Sequence, residues 1–151
     1  MTMAALNRFI SRSADRCRPF FLLLHKWKEF EWSEEYVVAF QELKQYLSHP
    51  PIMSSPVVDE VLFAYIAVTL YAISFVLIRV DNGIQRPVYY VSKSLNEAEV
   101  CYLPLENAIL AVVHATRKLP HYFQAHIVVV LTQLPLKSVL RNADYTGRVA
   151  K

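Results

Sequence analysis

Glycine, charge and cysteine are all scarce in this chain of 151 residues. Two glycines stand against eight prolines, so most turns must form without the residue that most easily adopts a positive φ. Hydrophobic residues make up 54% of the chain and charged residues 19%, which is more apolar than a typical soluble domain. The length suits one domain with a single hydrophobic core and a small additional segment.

The scarcity of cysteine argues against a disulfide-stabilised secreted domain. Cys17 and Cys101 are the only two cysteines, and neither belongs to a C-x-x-C pair. They are typical of reduced thiols, which favours an intracellular protein of the cytoplasm or nucleus. The five histidines show no metal-ligand spacing, so the sequence predicts no zinc site.

Charge is absent from the 18 residues between Val61 and Ile78, "VLFAYIAVTLYAISFVLI". That length is typical of a membrane-spanning helix. The β-branched and aromatic residues that dominate the stretch instead favour two buried strands. We expect a strand hairpin, although its turn at Val68 to Tyr71 contains no Gly, Pro, Asn or Asp. A membrane-associated protein that spans the bilayer through residues 61–78 is the alternative.

Basic residues are concentrated near the N-terminus, where residues 1–28 contain six Lys or Arg and one acidic residue. Three interpretations are open: contact with phosphates, a solvated helix face, and an Arg-rich mitochondrial transit peptide. For the first interpretation, the candidate phosphate-binding residues are Arg12, Arg16 and Arg18. The net charge of +3 does not by itself indicate a partner.

The N-terminal third of the chain predicts helices followed by an extended segment. A short helix is expected around Ala4 to Ser11. A longer one is expected from Ser33 to about Ser48, because Ser33 is a favourable N-cap and two glutamates follow it. Its predicted apolar face consists of Tyr36, Phe40, Leu43 and Leu47. The segment "PPIMSSP", residues 50–56, predicts an extended linker.

The remainder predicts strand, strand, strand, helix, strand, helix. "DNG" at residues 81–83 indicates a hairpin turn, and Pro104 is expected to open the main helix. The predicted elements are strands at 61–68, 71–80 and 86–93, a helix at 105–119, a strand at 126–132 and a helix at 135–141. The last strand is uniformly apolar, so we expect it to be parallel, central and buried on both faces. The fold class is therefore α/β, with a mixed sheet covered by helices.

Several long blocks of the sequence resemble the pol polyprotein of gypsy-type LTR retrotransposons. These blocks are "LNRFISRSADRCRPFF", "FEWSEEYVVAFQELKQYLSHPPI", "RPVYYVSKSLNEAE", "YLPLE", "RKLPHYFQAHIVVVLT" and "PLKSVL". They are similar to the end of the reverse transcriptase, its connection and the start of the tethered ribonuclease H domain. The resemblance implies a ribonuclease H-like fold. It places a thumb- or connection-like helical segment and linker at residues 1–56 and a partial ribonuclease H-like domain at 57–151.

The resemblance also implies hydrolysis of RNA in RNA–DNA hybrids, with two Mg²⁺ ions held by carboxylates. The family pattern T-D-A-S falls on "IAVT" and puts Ala67 at the aspartate position. E-L-L-A falls on "AILA", with Ala108 at the glutamate position, and T-D falls on "TQ", with Gln133 at the last aspartate. The fourth acidic position would lie beyond Lys151. We therefore predict no catalytic residue, no metal site and no cofactor.

Two nearby carboxylates are not expected to replace the missing ligands. Glu106 lies two residues before Ala108, which is about 200° around a helix. Asp81 belongs to the predicted hairpin tip, away from the predicted ligand cluster. Gln133 could offer an amide oxygen, but a neutral ligand alone cannot hold two divalent cations. The polymerase is excluded as well, because the carboxylate-bearing palm of that family is not in this chain.

The sequence thus predicts a protein that is not an enzyme and that at most binds nucleic acid, as an RNA–DNA hybrid or a duplex. The alternatives are a fragment of an active polyprotein ribonuclease H and the membrane-associated protein described above. Self-association through exposed apolar surface is a further expectation, whereas membrane association is not favoured.

Overall fold

The computed structural model describes residues 7–25 and 32–141. Within these ranges the strands are β1 (Leu62–Val68), β2 (Ala72–Asp81), β3 (Ile84–Ser94) and β4 (Val128–Leu131). The helices are α1 (Ser13–Arg16), α2 (Arg18–His25), α3 (Glu34–Ser48), α4 (Glu97–Val100), α5 (Pro104–Lys118), α6 (Pro120–Ala125) and α7 (Leu136–Arg141). A 3₁₀ turn at Asn7–Phe9 precedes them.

The four strands form one mixed sheet in the order β3-β2-β1-β4. β1 pairs antiparallel with β2, and β2 pairs antiparallel with β3. β4 returns through α5 and α6 and pairs parallel with β1. This is the predicted mixed α/β fold with the predicted order of strands and main helices, to which the structure adds the short helices α1, α2, α4 and α6.

The uncharged stretch from Val61 to Ile78 forms the β1–β2 hairpin, as predicted. Its last pair before the turn is Val68 with Ile73. Thr69 stabilises the turn: its backbone N–H donates to the Ala72 carbonyl at 2.9 Å, and its Oγ1 accepts from the Ala72 N–H at 3.1 Å. A threonine side chain thus supplies the hydrogen bond that an Asn or Asp often provides in turns. No helix in the described ranges is long and apolar enough to cross a membrane.

The second hairpin turns at "DNG", also as predicted. Asn82 and Gly83 both have positive φ, 50° and 80°, as a two-residue type I′ turn requires. Further along the ladder, Leu77 pairs with Tyr89 but Ile78 pairs with Pro87, so β3 contains a bulge. The bulge falls beside Pro87, because proline has no N–H to give to the ladder.

The hydrophobic core lies between the sheet and α5. Side chains alternate along a strand, and Leu62, Ala64, Phe75 and Leu77 point to this side, each at most 2% exposed. α5 contributes three alanines that are also at most 2% exposed, namely Ala108, Ala111 and Ala115. Small side chains let the helix backbone approach the sheet closely, which leaves no room for a larger residue without movement.

The N-terminal segment is attached to the opposite face of the sheet by hydrogen bonds. Ser74 of β2 and Ser92 of β3 join their hydroxyls at 3.0 Å, and the Ala14 N–H donates to the Ser92 Oγ at 3.1 Å. Ser13 and Cys17 on either side of Ala14 are 2% and 1% exposed. Burial raises the pKa of the Cys17 thiol, consistent with an unreactive structural cysteine.

Two sequence predictions need correction. β4 is an edge strand of the described sheet, because it pairs with β1 alone in the described ranges. It is not buried on both faces either: Val129 and Leu131, on the face opposite to the core residues Val128 and Val130, are 38% and 37% exposed. The predicted helix at residues 4–11 is instead a 3₁₀ turn ending at Phe9, and residues 4–6 lie outside the described residues.

The bounds of α3 match the prediction, and its apolar face is not buried. No residue of α3 is buried, and Phe40 and Leu47 are 51% and 39% exposed. Tyr46 links α3 to the N-terminal segment. The Tyr46 hydroxyl accepts from the Ser11 N–H at 3.1 Å and donates to the Phe9 carbonyl at 3.4 Å. The periodicity was correct, but it does not specify what covers the face.

Candidate functional site

The first family ligand position, Ala67, lies near the end of β1 opposite Ser74. Because Leu62 and Ala64 face the core, alternation places Ala67 on the face toward the N-terminal segment. A cavity of about 220 Å³ there is lined by residues that include Ala67, Ser11 and Arg12. No acidic residue lines that cavity, and Arg12 is the one charged residue in its lining.

The second position, Ala108, lies in the first half of α5 and is 0% exposed. Its burial follows from the close packing of α5 on the sheet. A carboxylate at this position would lose its water, and in a site without cations that loss is strongly unfavourable.

The third position, Gln133, is exposed in the loop that follows β4. It lines a cavity together with Thr132, Pro104 and Val68. Ala67 and Gln133 therefore border different cavities, and neither position supplies a negative charge.

The carboxylates around these positions already have partners. Asp15 accepts a hydrogen bond from the Thr69 hydroxyl at 2.8 Å and pairs with Arg12 at 3.2 Å. Glu106 accepts from the Leu103 N–H at 2.8 Å and so caps the start of α5. Asp81 pairs with Arg86 at 3.6 Å beside the second hairpin turn. In the described part of the chain no group of three or more His, Cys, Asp or Glu could hold a metal ion.

Glu99 is the most buried of the nearby acids, at 9% exposure. Burial alone would raise its pKa, but hydrogen bonds from Lys93 and from the Asn96 N–H outweigh burial and lower the pKa. Asn96 in turn accepts from the Glu99 N–H at 2.9 Å, which completes a capping box at α4. Glu99 is therefore a charged structural residue that orients Lys93.

Sequence reasoning missed Asp15 and Thr69, which join α1 to the β1–β2 turn. The two residues are 54 positions apart, and neither belongs to a recognisable motif. Only the tertiary fold brings them together, so no local signal could have identified the contact.

The three arginines predicted to bind phosphate do not converge on one site. Arg12 has a left-handed backbone, φ 52°, and pairs with Asp15. Arg16 donates to the Ser11 carbonyl at 3.1 Å, and its guanidinium lies 4.5 Å from the centre of the Tyr46 ring. The Arg18 guanidinium lies 3.6 Å from the centre of the Tyr71 ring. These contacts fasten the N-terminal segment to α3 and to the β1–β2 turn. Phosphate binding by these arginines stays a prediction.

The chain belongs to the family of RNase H-like domains found in reverse transcriptase, which matches residues 32–130. It is 30% identical over 117 residues to the retrovirus-related Pol polyprotein from transposon 297 of Drosophila melanogaster, covering 77% of this chain and 11% of that one. The corresponding polyprotein from transposon 412 of the same organism is 29% identical over 146 residues, which cover 96% of this chain and 12% of that one. The transposon Tf2-3 polyprotein of Schizosaccharomyces pombe is 23% identical over 145 residues, 95% of this chain and 10% of that one.

The chain therefore spans only 10–12% of these relatives. The resemblance to retrotransposon pol is confirmed, and the chain is similar to an RNase H-like part of such polyproteins. How it divides at residue 56 stays a prediction.

Solved structures agree on the fold. The foamy viral protease-reverse transcriptase in complex with dsDNA superposes with a TM-score of 0.74 at 14% sequence identity, covering 93% of this chain and 30% of that one. The same enzyme in complex with RNA/DNA hybrid gives a TM-score of 0.68 at 16% identity, covering 83% of this chain and 17% of that one. The RNase H-like fold is confirmed.

Proposed function

We propose that this domain is catalytically inactive as a ribonuclease H and binds nucleic acid, as an RNA–DNA hybrid or a duplex. The proposed inactivity rests on the residues that stand at the three metal-ligand positions of the family that can be aligned with this chain. Ala67 and Ala108 have no oxygen in their side chains, and Ala108 is sealed against the sheet at 0% exposure. Gln133 offers one neutral amide.

The residues present do not fit a pair of magnesium ions. Two Mg²⁺ ions bring four positive charges into one site, and they require hard oxygen ligands, mainly carboxylates and water. The three candidate positions provide no negative charge, and Asp15 and Glu106 are held by Thr69, Arg12 and the Leu103 N–H. The residues present therefore support no metal-dependent cleavage by this chain.

Binding of nucleic acid is supported by charge and by the structural relatives. Residues 1–28 contain six Lys or Arg and one acidic residue, and loss of acidic ligands removes repulsion toward phosphates. The structures with the same fold are of a foamy viral enzyme in complex with dsDNA and with RNA/DNA hybrid. A domain that keeps this fold without its acidic ligands is suited to hold a duplex without cutting it.

A cleavage assay tests the first half of the proposal. The purified chain is incubated with Mg²⁺ and a labelled RNA–DNA hybrid, and the products are separated on a gel. We expect intact hybrid, as with hybrid alone, while an active ribonuclease H in parallel degrades it. Cleavage that copurifies with the chain and that EDTA abolishes would overturn the proposal and support the active-fragment alternative.

A binding titration tests the second half. Anisotropy of the labelled hybrid is measured at several salt concentrations. We expect log K to fall linearly with log salt, because each neutralised phosphate releases counterions. Affinity that is absent at low salt would contradict nucleic-acid binding.

A further inference from the structure

A groove on the β3 side of the molecule gathers positive charge from three separate elements. Its volume is about 560 Å³. Arg8 reaches it from the 3₁₀ turn, Lys93 from β3, and His114 and Lys118 from α5. No Asp or Glu lines the groove. Because these residues are far apart in the sequence, the tertiary fold alone creates the concentration of charge.

Aromatic rings form part of the groove wall and position one of the cations. Tyr89 and Tyr90 of β3 both line the groove. The Arg8 guanidinium lies 4.5 Å from the centre of the Phe9 ring and 5.8 Å from that of Tyr89. Such stacking orients a guanidinium while it leaves its N–H groups free to meet an anion.

The charges in the groove are only partly neutralised within the described residues. Glu99 pairs with Lys93 from outside the groove lining. Burial is the main cause that lowers the pKa of the His114 imidazole, and the charges of Lys118, Lys93 and Arg117 lower it further. Glu99 acts in the opposite direction on the same ring but does not prevail. The imidazole is therefore mainly neutral at pH 7, and the positive charge of the groove comes from Arg8, Lys93 and Lys118.

We propose that this groove, lined by Arg8, Lys93, His114 and Lys118, binds the phosphate backbone of a double-stranded nucleic acid. The inference rests on the proposed nucleic-acid binding and assigns it to a surface other than Arg12, Arg16 and Arg18. A row of cations beside aromatic rings, with no acid in the lining, matches the chemistry of a phosphate-bearing ligand. Sequence-independent contact is expected from these cations, because the phosphates they would meet are the same in every nucleic-acid sequence.

The test compares two double variants with the same net charge. R8Q/K118Q removes two cations from the groove, and K44Q/K137Q removes two exposed lysines on α3 and α7, away from it. Binding of a labelled RNA–DNA hybrid is measured by anisotropy at several salt concentrations. We expect R8Q/K118Q to weaken binding about tenfold or more and to lower the salt slope by about two, since each lost phosphate contact lowers it by about one. K44Q/K137Q should stay within about twofold of the unmodified chain.

A second readout does not depend on whether the variants fold. The pKa of His114 is followed by NMR with and without the hybrid in the unmodified chain. A bound phosphate favours the imidazolium form, so we expect the pKa to rise on binding.

The possible outcomes separate the two proposals. If the unmodified chain binds and the two double variants bind equally well, nucleic-acid binding stands and the groove proposal falls. A His114 pKa that does not change when the hybrid binds would also overturn the groove proposal and leave nucleic-acid binding standing. If the unmodified chain does not bind hybrid even at low salt, both proposals fall.

Discussion

At the scale of single residues, Glu60 connects three parts of the chain. Its carboxylate accepts from the Val57 N–H at 2.9 Å and from the Arg79 guanidinium at 3.0 Å. Arg79 also donates to the Ser54 hydroxyl at 3.2 Å, while the Glu60 carbonyl contacts the His126 ring at 3.0 Å. The linker before β1, the β2 strand and the start of β4 are thereby held together.

This cluster predicts a specific pH dependence of stability. The Val57 hydrogen bond, followed by Arg79 after the opposing effect of burial, lowers the pKa of Glu60 below its ordinary value of 4.5. A lowered pKa in the folded state stabilises the protein above pH 4.5, and this contribution is lost as the pH falls through the folded-state pKa. E60Q should therefore lower the unfolding free energy at pH 7. The difference in unfolding free energy between E60Q and the unmodified chain should shrink progressively as the pH falls below 4.5.

Urea denaturation at a series of pH values measures the effect. E42Q removes an exposed carboxylate on α3 and serves as the control, with little change expected at any pH. A constant difference between E60Q and the unmodified chain from pH 7 to pH 3 would show that the Glu60 charge does not contribute.

At the scale of elements, α5 shows why the family's glutamate cannot simply be restored. Ala108 is 0% exposed, and Ala111 and Ala115 continue the same tight contact with the sheet. We expect A108E to lower the unfolding free energy by about 3 kcal/mol or more, because the larger side chain overpacks the core and its carboxylate loses water without a partner. V113E places the same residue at a position that is 37% exposed and should change stability by less than about 1 kcal/mol.

Denaturation of both variants with and without Mg²⁺ makes the comparison decisive. Equal stabilities of A108E and V113E would mean that position 108 is open to solvent. Stabilisation of A108E alone by Mg²⁺ would mean that a metal site can form once the carboxylate is restored, and it would contradict the expectation that packing excludes a glutamate at position 108.

The elements also show what the sequence could and could not predict. The β1–β2 hairpin, the "DNG" turn and α5 followed from local patterns, since each depends on hydrophobic alternation, turn chemistry or capping within a few residues. The position of β4 at the edge did not follow, because an apolar run has the same composition whether one or both of its faces are covered. The groove around His114 was missed for a related reason: its lining residues Arg8, Lys93, His114 and Lys118 are far apart in the sequence, and only the packed sheet brings them together.

At the scale of the whole molecule, the apolar face of α3, formed by Tyr36, Phe40, Leu43 and Leu47, is one of the partly exposed apolar surfaces. Phe40 and Leu47 are 51% and 39% exposed. The rim of this surface includes a shallow cavity lined by Phe40, Leu43, Lys44 and Leu47. An apolar helix face left open to water favours contact with a second apolar surface, so the expected self-association should depend on α3.

A pair of variants tests this expectation. F40K/L47K puts two charges into the apolar face, whereas Q41K/Q45K puts the same charges at exposed polar positions of the same helix. In sedimentation velocity, the unmodified chain and Q41K/Q45K should form concentration-dependent oligomers, and F40K/L47K should remain monomeric. Each charge buried at the contact is expected to cost about 1.4 kcal/mol or more, which lowers the association constant about tenfold or more per charge. Oligomers that persist in F40K/L47K would move the contact elsewhere, with the exposed face of β4 that carries Val129 and Leu131 as the next surface to change. If all three proteins are monomeric, the α3 face does not drive association between copies of this chain.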